Sequence, residues 1–167
     1  RAMITSERLL AFIAAASAAV LGTALGSQFI GGLRPCELCH WQRYPYVATI
    51  VLGIVGVFVA RRDPRGRAAP AIAAVAGLIF IVGAGIAFFH VGVEYKWWQG
   101  TNACGASGGT IQSLDALRNA LLNAPIVRCD EPAWTMAGIS MAGYNMLVSL
   151  ALAAIALAGA RRTWSSR

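Results

Sequence analysis

The sequence predicts an all-α membrane protein, a four-helix transmembrane bundle with a short amphipathic helix in its second outer loop. Three observations carry that prediction. Hydrophobic residues make up 57% of the 167-residue chain and charged residues only 13%, at a mean hydropathy of +0.61. A soluble domain is nearer half apolar and about a quarter charged. The apolar excess is gathered into four uncharged or nearly uncharged runs, and the basic residues cluster between them, mostly on one side.

The runs follow in order. Leu9 to Ile30 carries no charge. It is longer than the roughly 7 to 15 residues of a signal h-region, so it reads as a span rather than a cleaved leader. Pro45 to Ala60 is uncharged but short, and Trp41 to Tyr44 can extend it. Ala68 to Val93 has His90 as its single titratable residue, and Trp134 to Ala160 has no charge. About 20 residues cross the hydrocarbon core. The spans are therefore expected at about 9–30, 43–60, 68–92 and 134–160, forming one domain over 1–167 with outer loops at about 31–42 and 94–133. Gly22 to Gly26 is a GxxxG and Gly138 to Ala142 a small-xxx-small, both expected to let helix backbones approach closely.

Charge orients the bundle. Nine arginines (Arg1, Arg8, Arg61, Arg62, Arg65, Arg67, Arg161, Arg162 and Arg167) fall on the termini and the 61–67 loop. The other two loops hold five bases, Arg34, Arg43, Lys96, Arg118 and Arg128, and the five acids Glu37, Glu94, Asp115, Asp130 and Glu131. By the positive-inside rule both termini and the basic loop are cytoplasmic. The basic loop reads as topology, not as a nucleic-acid site. In the long loop, Ile111, Leu114, Leu117, Leu121 and Leu122 recur at helical spacing after a capping Thr110. They read either as an amphipathic surface helix or as simple loop packing. Trp41, Tyr44, Tyr46, Trp97, Trp98 and Trp134 fit an interfacial aromatic belt.

All four cysteines then lie on the outer side, Cys36 and Cys39 in the first loop and Cys104 and Cys129 in the second. An even set on an oxidising face argues for disulfides. Several chemistries compete for them. Cys36-Glu37-Leu38-Cys39-His40 matches a haem-attachment pattern formally, but this leaves Cys104 and Cys129 without a role. Zinc sites commonly use two tight pairs, and the second pair here is too widely spaced. Two static disulfides would satisfy the parity, yet a C-x-x-C bridge closes a tiny loop and adds little stability. A redox dithiol fits better. Pro35 suits the first turn of a helix, which sets both sulfurs near its positive end. Arg43, four residues after Cys39, shares its helical face, and both effects favour a thiolate. Arg43 otherwise reads as an interfacial arginine on phospholipid. A dithiol at the bilayer edge makes sense if its electron acceptor is dissolved in lipid, as quinones are, and its donor in water.

The stretches "PCELCHWQR", "FFHVGVE", "CDEPAW" and "GISMAGYN", with four spans around them, resemble the bacterial disulfide bond formation protein B (DsbB) family over essentially the whole chain. The resemblance implies a protein-dithiol:quinone oxidoreductase of the bacterial inner membrane, with its cysteine loops in the periplasm. It implies that a periplasmic thioredoxin-like partner, DsbA, attacks a Cys104–Cys129 disulfide and forms a mixed disulfide with Cys104. Cys129 would then attack Cys36, leaving Cys39 to face a quinone near Arg43. The acceptor implied is ubiquinone, or menaquinone, with no metal and no haem. The resemblance associates His90 with the quinone, and an ionisable residue in a span is a functional candidate in any case. It also reads as an interfacial residue bonded to a carbonyl. Met141 could line the same pocket or be ordinary core, and Glu94 reads as interfacial structure.

Overall fold

A computed structural model of the chain describes residues 5–101 and 128–165. Cys104 and the amphipathic segment expected after Thr110 lie outside the described residues. Among the described residues, four helical stretches are long and apolar enough to cross a membrane, the second running Glu37–Arg62. They comprise α1 (Ser6–Phe29), the one-turn helix α2 (Glu37–Trp41) followed by α3 (Tyr44–Arg62), α4 (Ala68–Glu94) and α5 (Met141–Ser165). The described elements are otherwise a two-residue pair, β1 (Thr135–Met136) and β2 (Ile139–Ser140).

Local chemistry sets each boundary. Thr5 caps α1, its hydroxyl accepting from the Arg8 N–H at 3.3 Å. Pro35 precedes α2 rather than opening it, because Cys36 is the N-cap and its Sγ accepts from the Cys39 N–H at 3.3 Å. Pro45 sits in the first turn of α3, where its missing N–H leaves no helical bond unmade. The chain thus restarts as a new helix after a turn at Gln42 and Arg43.

The fourth span differs from expectation. Its helix begins at Met141, not at Trp134, because Thr135 and Met136 pair antiparallel with Ser140 and Ile139. The intervening Ala137 and Gly138 both have positive φ (50° and 77°), as a two-residue hairpin turn requires. Ser140 then caps α5 by accepting from the Gly143 N–H at 3.1 Å. Gly138 is therefore a turn residue and not part of a helix-packing motif.

α4 packs along α5 and α1 along α3, with α3 against α4 joining the two pairs. The core holds Leu9, Leu10, Ile13, Phe80, Leu152 and a series of alanines. Close approach does not use the GxxxG of α1, since a Cβ at Gly22 or Gly26 would have no neighbour within 4 Å. It falls at Gly53 and Gly56 of α3. A Cβ at Gly53 would lie 2.8 Å from Ala14 Cβ, and one at Gly56 2.8 Å from Leu10 Cδ1. The same two helices share a buried Ser17–Thr49 hydroxyl pair at 2.8 Å. Such interhelical bonds contribute about 0.6 kcal/mol each in lipid. The outward faces remain apolar, with Phe58, Val82, Leu78 and Leu150 exposed, as lipid contact requires.

Candidate functional site: a dithiol above a cavity

Cys36 and Cys39 are both free thiols, with their sulfurs 2.8 Å apart. That is longer than the roughly 2.05 Å of a disulfide, and a small rotation closes it. The two sulfurs are not equivalent. Cys36 is buried at 5% exposure, while Cys39 is partly open. The hydrogen bond with Cys39, reinforced by burial and by negative charge on Cys39, pushes the Cys36 thiol well above its ordinary range. Cys36 is the sulfur that keeps its proton. Cys129 is disulfide-bonded and fully buried, and it packs in one cluster with Cys36, Leu38 and Val93. Three of the four cysteines thus meet at one end of the bundle.

His90 stands beneath the pair. It projects from α4 with its Nε2 at 3.6 Å from Cys36 Sγ, and it hydrogen-bonds the Cys129 backbone. A buried chain of side chains fixes its ring. The Ser149 hydroxyl donates to Tyr46 Oη at 2.8 Å, and the Tyr46 hydroxyl donates to Asn145 Oδ1 at 2.5 Å. Asn145 Nδ2 donates to Gln42 Oε1, and Gln42 Nε2 donates to His90 Nδ1 at 2.7 Å. With Nδ1 accepting, the ring hydrogen sits on Nε2, shared between the Cys129 backbone and Cys36 Sγ. These four links run the same way, from mid-span Ser149 up to His90 beside the sulfur, through α5, α3, the α2–α3 turn and α4. Glu94, one turn above His90, is equally buried. Its Oε1 is 3.9 Å from His90 Nε2, and its other oxygen accepts from the Ser140 hydroxyl. Glu94 therefore faces the site rather than the interface.

Below and beside the thiols a cavity of about 320 Å³ opens between α1, α3 and α5. Cys36, Cys39, Arg43, His90 and Met141 all line it, while Cys129, the other candidate described, packs against Cys36 outside the lining. Its other walls are mainly apolar, among them Val20, Leu21, Ala24 and Val148. Arg43 is held by Gln28 of α1, whose Oε1 accepts from Nη1 at 2.7 Å. At the mouth, Arg128 is neutralised by a two-point bond to Asp130 (2.9 and 2.6 Å) and a contact to Glu131 at 3.5 Å. An apolar pocket with a few converging polar groups is the usual form of a small-molecule site.

Sequence reasoning missed Gln42, Asn145, Tyr46 and Ser149 as site residues. Their signal was available, because polar side chains inside or beside membrane runs are costly and tend to be functional. Their partners lie 48 to 103 positions away, so no local pattern joins them.

Four spans with a free cysteine pair above a mainly apolar cavity define a multi-pass membrane protein. More particularly, the chain belongs to the DsbB family: the family described as "Disulfide bond formation protein DsbB" matches residues 6–159. Among its relatives, "Disulfide bond formation protein B" of Xanthomonas campestris pv. campestris (strain 8004) is 31% identical over 159 residues, covering 91% of this chain and 87% of the relative. The protein of the same name from Stutzerimonas stutzeri (strain A1501) is 29% identical over 149 residues, covering 84% and 86%. An uncharacterized protein of Rickettsia prowazekii (strain Madrid E) is 27% identical over 134 residues, covering 79% and 74%. No solved structure matches the chain. Membership in the family carries the coarse role with it, disulfide bond formation.

Proposed function

We propose that the chain reoxidises a periplasmic DsbA-like thioredoxin-fold protein and passes two electrons to a membrane quinone, ubiquinone or menaquinone. The observation that carries this reading is the half-open Cys39 on the wall of an apolar cavity, with Cys129 packed behind Cys36. Water-borne and lipid-borne reactants would reach the same sulfur pair from opposite sides. In this reading the protein lies in the bacterial inner membrane, its termini cytoplasmic and its cysteine loops periplasmic.

The steps balance as thiol–disulfide exchange. A thiolate of the reduced partner attacks Cys104 of a Cys104–Cys129 disulfide and expels Cys129. The partner's second thiol resolves the mixed disulfide, leaving the partner oxidised and both loop cysteines reduced. Cys129 attacks Cys36 of a Cys36–Cys39 disulfide and expels Cys39 as thiolate, and Cys104 then closes the Cys104–Cys129 bridge again. The state with free Cys36 and Cys39 is the one from which two electrons and two protons leave for the quinone, restoring the Cys36–Cys39 disulfide. The quinone supplies the oxidising power, since a partner near −120 mV is itself a strong oxidant. The chain supplies position and charge. Arg43, steadied by Gln28, would hold a quinone oxygen over Cys39, His90 would point its Nε2–H at Cys36, and Met141 with the α1 and α5 side chains would pack the ring and exclude water.

The test mixes purified protein, reduced partner and a soluble quinone, and follows quinone absorbance. Cysteine-dependent quinol formation is expected. Cys104→Ser should block attack by the partner, while Cys39→Ser should spare that attack and stop delivery to quinone. Full activity in both variants would refute the order.

A further inference from the structure

We infer that the reduced dithiol, completed by His90 and Glu94, is a binding site for a thiophilic divalent cation such as Zn²⁺, and that the disulfide form is not. The sulfurs of Cys36 and Cys39 and a ring nitrogen of His90 all lie within 4.8 Å of one another. A candidate fourth donor stands beside His90 but outside that cluster, Glu94 Oε1 at 3.9 Å from its Nε2. Two soft thiolates, an imidazole and a carboxylate are a zinc donor set. The cysteine spacing alone could not show this, because His90 enters from 54 positions away.

The distances are close to what coordination needs. Zn–S near 2.3 Å and Zn–N near 2.05 Å at a tetrahedral angle put sulfur and nitrogen about 3.5 Å apart. Cys36 Sγ and His90 Nε2 already stand 3.6 Å apart. The two sulfurs, now 2.8 Å apart, must spread to about 3.7 Å. Cys39 has room for that on its cavity side. Glu94 Oε1 must close by about half an ångström on His90 Nε2 and swing further toward the sulfurs, since it does not lie within 4.8 Å of all three other donors, to reach a 2.0–2.2 Å bond. Arg43 on the cavity wall offsets the negative charge that two thiolates and a carboxylate leave beyond the cation.

The outer partners fit as well. A metal on Nε2 moves the ring hydrogen to Nδ1, which then needs an acceptor. Gln42 can present its oxygen by rotating its amide, and Asn145, Tyr46 and Ser149 each carry both donor and acceptor, so that chain can reverse, while the Cys129 backbone gives up the ring hydrogen to make way for the metal.

Metal binding and disulfide closure exclude each other, because a disulfide offers no thiolate. A cation that binds the reduced form a hundredfold above its dissociation constant lowers the potential of the pair by about 59 mV. Resting on the proposed function, this makes the cation a brake that holds electrons in the protein.

Co²⁺ serves as the spectroscopic probe, and a Cys104→Ser/Cys129→Ser background removes the other pair. The reduced protein should take up one equivalent of Co²⁺ with a thiolate-to-metal absorption band, and Zn²⁺ should displace it. The same polypeptide oxidised at Cys36–Cys39 should show none, which serves as a control of identical sequence. His90→Ala should weaken binding at least tenfold, and Gln42→Glu, a pure acceptor, should bind more tightly than Gln42→Leu. No band in the reduced protein, or equal uptake by the oxidised form, would overturn the site. These readouts are independent of quinone reduction, so failure of the quinone assay and failure of the metal site are distinguishable. If the enzyme assay works, Zn²⁺ should slow quinone reduction and a chelator should restore it; an unaffected rate with a filled site would overturn the brake.

Discussion

The two ends of this bundle are built by different rules. Toward the Arg61–Arg67 loop, helices close on one another through small residues: Gly53 and Gly56 meet α1, and a Cβ on Gly159 would lie 2.6 Å from Leu9 Cδ2. Polar groups there mostly bond within their own helix, as Thr163 does to Gly159 and Ala160. Toward the dithiol, buried space is filled by Ser149, Tyr46, Asn145, Gln42, His90 and Glu94, bonded across four segments. Apolar residues would fill that volume at lower desolvation cost. One end specifies the packing, and the other accepts a costly interior that orders the side chains around the cysteine pair.

Substitutions that separate the two ends sharpen the comparison. The largest effect is expected at the sulfurs. Cys39→Ser should cut electron delivery to quinone by about a thousandfold or more while moving the thermal midpoint by no more than a few degrees. Next comes the polar chain. Asn145→Leu breaks the links to both Tyr46 and Gln42 and leaves the Gln42 that orients His90 without its anchor, and turnover should fall about ten- to a hundredfold. A near-normal turnover would make the chain a packing device.

The apolar end should respond in the opposite sense. Gly53→Val forces a side chain into Ala14 and the Leu10 carbonyl, and should cost about 1–3 kcal/mol in denaturation while leaving turnover per folded molecule unchanged. Smaller still, Arg43→Ala removes one charged hydrogen-bond donor from the cavity wall and should raise the apparent quinone KM roughly tenfold. An unchanged quinone dependence would return Arg43 to a lipid contact. Smallest of all, Arg61→Ala breaks an exposed pair with Glu7 (2.8 Å) and should change stability by less than about 1 kcal/mol, least at high salt.

What the sequence disclosed follows the same divide. Hydropathy exposes spans directly, because an uncharged run long enough to cross lipid has few other uses, so α1, α3 and α4 were legible to within a few residues. The start of α5 was not. Trp134 to Ser140 is as uncharged as the apolar run to Ala160 that it opens, and only the Ala137-Gly138 turn and the Ser140 cap betray the hairpin. The GxxxG of α1 was a weaker guide than it looked, since a motif of small residues does not say which face meets a neighbour. Cys36, Cys39, Arg43, His90 and Met141 stood out by residue type and position, and they share one cavity. The polar chain that orders them was invisible, because it is assembled by tertiary contact between residues as far apart as Gln42 and Asn145.

The most direct measurement is a single turnover. Protein reduced at Cys36 and Cys39 in the Cys104→Ser/Cys129→Ser background is mixed with one equivalent of soluble quinone, and absorbance is followed as the thiols are counted. One quinol formed and two thiols lost per chain is the predicted result. Thiols that persist while quinone stays oxidised, or quinone reduced equally by Cys39→Ser, would contradict it.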